Sequence, residues 1–394
     1  MVRASLNPKR RIFERRTLTS ISIAGHVLPA ANITTYLDEI LGRKGTQLSN
    51  FECPAVNSTR YESLKALESQ ADRKIRYYFA LDLRQCLPLL PRLIGSLVEA
   101  IRFLGPTHCA ISIVEGNSND GTADVLAALQ PEIEGIGATY FLQSSPINPS
   151  QGDRIGKLAE IRNMALKPLL ENAGRMHANK DTTIVFSNDV ALCPDDILEL
   201  IFQRQSLGAD MTCAMDWTGG SNPTFYDVWI SRGMNGDSFF DVPLDGSWHL
   251  AWNLFWNAEE TRARFDAHLP FQVFSCWNGA AVFGAQPVLE NILFRGPNQE
   301  AGECHQGEPQ LFCKDLWFHG FGKIAVVPTV NLEYSIEKGK LIKEAKGFVT
   351  DLVGQQNLAD DKINWRLEPP EKVKCMEESW SRQIWQLWNE TLSM

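Results

Sequence analysis

The spacing of apolar residues changes twice along this chain. Up to residue 73 the periodicity is weak, with one helix predicted at 32–43 and a stop at Cys53-Pro54. From residue 75 onward, short buried-strand runs alternate with helical spacing. Strands are predicted at 75–83 (IRYYFALDL), 109–114 (CAISIV), 138–143, 182–186 (TTIVF) and 211–215. Helices are predicted at 86–104, from 124, at 154–170 with Pro168 only near its end, and from Pro194, whose position and acidic followers mark a helix start. Strand–helix alternation over 75–216 predicts a mostly parallel sheet with right-handed crossovers. Beyond Asp216 the alternation stops, and regular elements return only at 279–283, 309–318 and 323–330. The tail from Glu337 carries Trp380, Trp385 and Trp388, read as one face of an amphipathic helix packing back on the core.

Composition narrows the class. The 394 residues hold 38 Lys+Arg against 47 Asp+Glu, a net charge of −9, which argues against a nucleic-acid partner whose phosphates need a basic surface. No run is long and apolar enough to span a membrane. The first twenty residues carry Arg3, Lys9, Arg10, Arg11, Arg15 and Arg16 against Glu14, a basic tail or a transit-type segment. Nine cysteines form no zinc pattern, and a chain this long is not expected to need stapling; the odd count leaves at least one free thiol. Sequons at Asn32, Asn57 and Asn389 permit secretion without requiring it.

Three polar clusters follow predicted strands, where open α/β sheets bind ligands. The first is Glu115-Gly-Asn-Ser-Asn-Asp120-Gly-Thr, in which Glu115, Asn117 and Asp120 are candidates for a nucleobase or ribose, or plain turn and cap residues. The second is Arg154, Lys157 and Arg162 at a helix start, suited to a diphosphate or to a solvated face. The third is Ser187-Asn188-Asp189, where one carboxylate beside an amide can hold a divalent ion, or simply end the strand.

The order of these clusters resembles the nucleotide-sugar half of a GT-A glycosyltransferase, with Ser187 standing where that family's Asp-x-Asp triplet begins. The blocks FSNDVALCPDDILELI, ADMTCAMDW, FYDVWISRGMNGD, FSCWNGAAVF and GECHQGEPQLFCKDLWFHGFGKIAVVPTVNLEY are similar to the fungal capsule-associated, cryptococcal α-1,3-mannosyltransferases of glycosyltransferase family 69, over about residues 75–335. That resemblance implies an α/β GT-A fold, a GDP-mannose donor, a divalent cation (Mn²⁺ ahead of Mg²⁺), retention of the α configuration, and a mannoside, glycolipid or small-molecule acceptor. It implies a Golgi-lumen enzyme where an anchor or signal has been removed, and otherwise a cytoplasmic one. Residues 1–73 then form an extension, 74–335 the catalytic unit (74–216 for the nucleotide sugar, 217–335 for the acceptor) and 336–394 a C-terminal wrap.

Within that frame Asp189 is the expected metal ligand with His319 as a third contact, and Asn188 assists the donor. Asp216, Tyr226, Trp229, Arg232, Trp277 and Asn278 are the expected acceptor contacts, since indole faces stack on sugars while polar groups bond hydroxyls. Glu308, Glu303 and Asp227 are the expected catalytic carboxylates. Two other readings stay open: a UDP-linked donor on the same scaffold, and a carbohydrate-binding protein without transferase activity.

Overall fold

The computed structural model describes residues 27–43, 51–65, 74–174, 176–354, 356, 362–376 and 382–392. The basic stretch of the first twenty residues and Trp380 lie outside them. In chain order the elements begin with α1 (Ala30–Ile40), β1 (Tyr77–Leu83), α2 (Leu90–Leu104), β2 (Cys109–Glu115), α3 (Thr122–Gly135) and β3 (Thr139–Ser144). Then come α4 (Arg154–Asn172), β4 (Thr183–Ser187), α5 (Pro194–Leu207), β5 (Met211–Thr218), β6 (Thr224–Phe225), β7 (Arg232–Gly233) and α6 (Glu259–Asp266). The remainder is β8 (Phe271–Ser275), β9 (Ala280–Gly284), α7 (Ala285–Leu289), α8 (Glu308–Phe318), β10 (Ile324–Leu332), α9 (Ile336–Lys346), α10 (Val349–Val353), β11 (Lys372–Met376) and β12 (Gln383–Leu387).

Among the described residues, ten strands form one sheet in the order β3-β2-β1-β4-β9-β5-β10-β8-β7, with β6 on β5. The pairs β3–β2, β2–β1, β1–β4 and β5–β10 are parallel; β9 runs antiparallel between β4 and β5. This is the expected α/β fold with a mostly parallel sheet. Alternation along β1 divides the core in two: Tyr77, Phe79 and Leu81 pack with α2, α3 and α5, while Tyr78 and Ala80 pack with α4 on the other face. Asp82, next in the second series, therefore faces α4.

α4 runs four residues beyond Pro168, to Asn172. Proline has no N–H to give the carbonyl of Met164 one turn back. Gln143 Nε2 of β3 donates to that carbonyl instead, at 3.0 Å, so the helix passes Pro168 without breaking.

Two expectations are corrected. β11 and β12 form an antiparallel strand pair where an amphipathic helix was expected, Lys372 pairing with Leu387 and Met376 with Gln383. Alternating Lys-Val-Lys-Cys-Met suits a strand laid on the core, since Val373, Cys375 and Met376 are buried. The chain is also stapled, by Cys53–Cys193, Cys213–Cys276 and Cys304–Cys375, leaving Cys86, Cys109 and Cys313 as buried thiols. Two of these bridges fasten peripheral segments, 51–65 and the β11–β12 pair, to a core that is already large. They act on the loop-closure entropy of those segments, a need that overall chain length does not register.

Candidate active site

Strands β1, β4 and β5 point the same way, and their carboxyl ends bring acids to one edge of the sheet. Leu81 pairs with Ser187, which sets Asp82 beside Asn188 and the turn carrying Asp189. Asp216 stands near the end of β5. From the other side come the turn before β9 and the first residue of α8, Glu308. That turn needs left-handed backbone at Asn278 and Gly279, with φ of +56° and +81°. A Cβ at Gly279 would lie 3.1 Å from Val190 and 3.4 Å from Asp216, so glycine alone lets the turn close on the strand ends.

Arg162, projecting from α4, is the centre of the site and only 6% exposed. Its Nε donates to Glu308 Oε1 at 2.8 Å and its Nη1 to Asn188 Oδ1 at 3.2 Å, and Asp82 Oδ1 lies 3.6 Å from Nη1. The guanidinium also lies over the Trp277 ring, 4.5 Å from its centroid. Burial works against its charge, but Asp82 and Glu308 outweigh that and raise its pKa above the usual arginine value. One cation from the first half of the chain thus pins a carboxylate from the second half against the β4 turn.

The acids around it outnumber the bases. Burial, then the charge of Asp82, pushes Asp189 up to about 6. Asp227 also rises to about 6, through burial, although it accepts the Asn278 N–H at 2.9 Å and faces Arg162. Asp216 is wholly buried and raised well above the carboxylate range by burial and by Asp227. It accepts the Tyr334 hydroxyl at 2.7 Å and the Asp227 N–H at 3.2 Å. Holding buried carboxyls near neutrality is how a site keeps both protonation states accessible.

Of the expected residues, Arg162, Asn188, Asp189, Asp216, Tyr226, Asp227, Trp277, Asn278 and Glu308 meet here. Others have different work. Glu115 accepts the N–H groups of Asn117 and Ser118 and fixes its own loop, Asn117 taking a φ of +57°. Asp120 accepts from Thr122 and Leu87 backbone, which holds its pKa below the usual value. Lys157 folds onto the carbonyls of Asn148 and Gln151, while Arg154 stands exposed at the start of α4. Arg232 is buried and spends its guanidinium on the carbonyls of Lys374, Val228 and Ser231. Trp277 is covered by Arg162, and Trp229 donates its indole N–H to Met376 O.

Two placements depart from the sequence reading more sharply. Glu303 is locked in ion pairs with Arg295 and Lys314, away from the Arg162 cluster. His319 sits exposed at the far end of α8, its Nδ1 bonded to Asp315 O. It lies eleven positions along the chain from Glu308, about 16 Å at 1.5 Å per residue, too far from the Arg162 cluster to join Asp189 on one ion. Asp82 and Tyr334, which complete the cluster, were not singled out in the sequence. The signal for Asp82 was an acid inside an otherwise apolar buried strand, a placement that needs a partner.

Among the described residues no group of three or more His, Cys, Asp or Glu is arranged to hold a metal. Asp189, with Asp82 beside it and Oδ1 of Asp82 buried without a hydrogen-bond partner, still fits a hard cation of the kind that takes one or two carboxylates and completes its shell with substrate phosphates and water.

Residues 76–315 match the family described as Cryptococcal mannosyltransferase 1. Alpha-1,3-mannosyltransferase CMT1 of Cryptococcus neoformans var. neoformans serotype D is 37% identical over 335 residues, spanning 80% of this chain and 71% of that protein. Mannosyltransferase PcManGT from Pyrobaculum calidifontis, in complex with GDP-Man and Mn²⁺, is similar at a TM-score of 0.39 and 12% identity over 77% of this chain and 66% of its own. TarS 1–349 of S. aureus gives the same score and identity over 66% of this chain, which spans 60% of that structure. Overlaps this slight add nothing to the assignment.

Proposed function

The chain belongs to the cryptococcal mannosyltransferase family and is a glycosyltransferase, and from that premise we propose that it moves mannose from GDP-mannose to a hydroxyl of an α-mannoside, forming an α-1,3 bond with retention. The observation that carries the reading is the Arg162 cluster: one buried cation joins Asn188 and Asp82 of the first half to Glu308 of the second, with the two lifted carboxylates Asp189 and Asp227 on either side.

In this reading residues 74–216 bind the nucleotide sugar and 217–335 the acceptor. Arg154 and the amino end of α4 offer positive charge to the diphosphate, the helix dipole adding to the side chain. A divalent ion held by Asp189, Mn²⁺ ahead of Mg²⁺, would supply charge neutralisation for the departing GDP. Asp227 faces the transferred sugar and the acceptor hydroxyl, and must be ionised to accept a proton or to attack. Glu308 is a positioning residue that fixes the Arg162 guanidinium. Three disulfides further favour work in an oxidising lumen; no helix among the described residues is long and apolar enough to cross a membrane.

The test is incubation with GDP-mannose, Mn²⁺ and a panel of mannosides with mass readout, beside parallel UDP-sugar reactions. One hexose added from GDP-mannose alone supports the reading. Transfer from a UDP sugar, or glycan binding with no transfer, replaces it.

A further inference from the structure

Seven of the eleven tryptophans fall between residues 217 and 317, yet those nearest the carboxylates are already occupied. Trp217 is buried with its N–H on Asn331 and Lys346 over its ring. Trp277 lies under Arg162, Trp317 stacks on Phe274, and Trp229 is tied to Met376. Trp252 is 75% exposed but stands on a loop fastened to Asp237, Phe239 and Arg262.

Among the described residues, the aromatic ring beside the acids that is open to solvent is Tyr226, 48% exposed. Its position is fixed from below. The Tyr226 N–H donates to Asp216 O at 3.0 Å, and its ring packs on Tyr334 at 5.1 Å between centroids. The Tyr334 hydroxyl and the Asp227 N–H occupy the two carboxylate oxygens of Asp216. Asp227 follows Tyr226 directly, so a half-open ring and a carboxylate are presented side by side by one braced turn.

We propose that Tyr226 is the stacking platform for the acceptor sugar, its ring receiving the C–H face of a hexopyranoside whose hydroxyl reaches Asp227. The pairing of an apolar face with an adjacent acceptor is the chemistry that recognises a pyranose. The inference rests on the transferase reading above and goes beyond it by naming the platform.

The test is a kinetic and binding comparison of wild type with Tyr226→Ala, Tyr226→Phe and Tyr226→Trp, all checked for an unchanged melting temperature. Tyr226→Ala is expected to raise acceptor KM by about tenfold or more, the loss of roughly one aromatic contact, while kcat and the Kd for GDP stay within about twofold. Phe and Trp should keep acceptor KM near wild type, because the ring rather than the hydroxyl carries the contact. The proposal is overturned by an unchanged acceptor KM in Tyr226→Ala, or by a Kd for GDP that weakens by the same factor, which would assign the ring to the donor. Should wild type show neither GDP binding nor transfer, the transferase reading has failed instead. Saturation transfer from aromatic protons to a free mannoside, present in wild type and lost in Tyr226→Ala, then still decides the platform.

Discussion

Two networks of carboxylates lie along α8, and they are in opposite electrostatic states. Beside the helix, Glu303 takes hydrogen bonds from both Nη atoms of Arg295, from Lys314 Nζ and from the Asn298 N–H, at 2.6 to 3.0 Å. Burial opposes its charge, but these donors hold it down to about 2. Asp315 pairs with the same arginine, and Glu390 with the same lysine. At the amino end, Asp82, Asp189, Asp227 and Glu308 gather round Arg162, with Asp216 bonded to the Asp227 N–H, and Asp189 and Asp227 rise to about 6. The first network closes on itself and fastens 295–303 and the C-terminal residues to α8. The second holds more acids than bases among the described residues, the arrangement that the proposed cation and acceptor would require.

Substitutions should therefore separate the two. The largest effect is expected for Asp189→Ala, with transfer falling on the order of a thousandfold, the scale of losing a group that stabilises developing charge, while the melting temperature does not fall. Next, Glu303→Gln removes the carboxylate that Arg295 and Lys314 share, leaving them Asp315 and Glu390, and should cost about 1.5–3 kcal/mol of stability, read by denaturant unfolding. Glu308→Gln, only five residues on, should cut kcat by about one to two orders of magnitude with a smaller stability loss, because Arg162 keeps Asn188 and Asp82. Equal behaviour of the two glutamates would erase the distinction between the networks.

Two smaller effects concern protons. If Asp227 works in transfer as proposed, it does so ionised, and kcat/KM should fall as pH drops through about 6. Stability should run the other way. A carboxyl whose folded pKa is raised above its unfolded value binds protons more tightly in the folded state, so it favours folding at acid pH. That contribution disappears as pH rises through the folded value. Asp189→Asn, which cannot ionise, should therefore gain about 1–3 kcal/mol over wild type at pH 7.5 without cation. A loss of stability there would mean that Asp189 is already partnered.

The half of the fold over 75–216 was legible because strand and helix periods alternate with clear stops. The β1, β4 and β5 strands fall within one to three residues of their predicted bounds, and α4 runs two residues longer. After Asp216 only β9, α8 and β10 were legible, within two residues of their predicted bounds; β6 and β7 are two-residue strands, too short to show a period. In the site, position marked Asn188 and Asp189 as polar residues at a strand end without excluding a plain turn, and the family resemblance was needed to single them out with Asp216. Glu303 and Glu308 were indistinguishable in sequence, because what separates them is Arg295 and Lys314 on one side and Arg162, 146 residues away, on the other. Tryptophan suggested a sugar platform by residue type, whereas which rings remain open depends on what packs over them.

In the proposed reading the Arg162 network, through Asp189, receives the cation and the guanosine diphosphate. Calorimetric titration of GDP with and without Mn²⁺, in wild type and Asp189→Asn, tests it most directly. Mn²⁺ is expected to tighten GDP binding by about tenfold or more in wild type and not at all in the variant. An Mn²⁺ effect that survives intact in Asp189→Asn would contradict it.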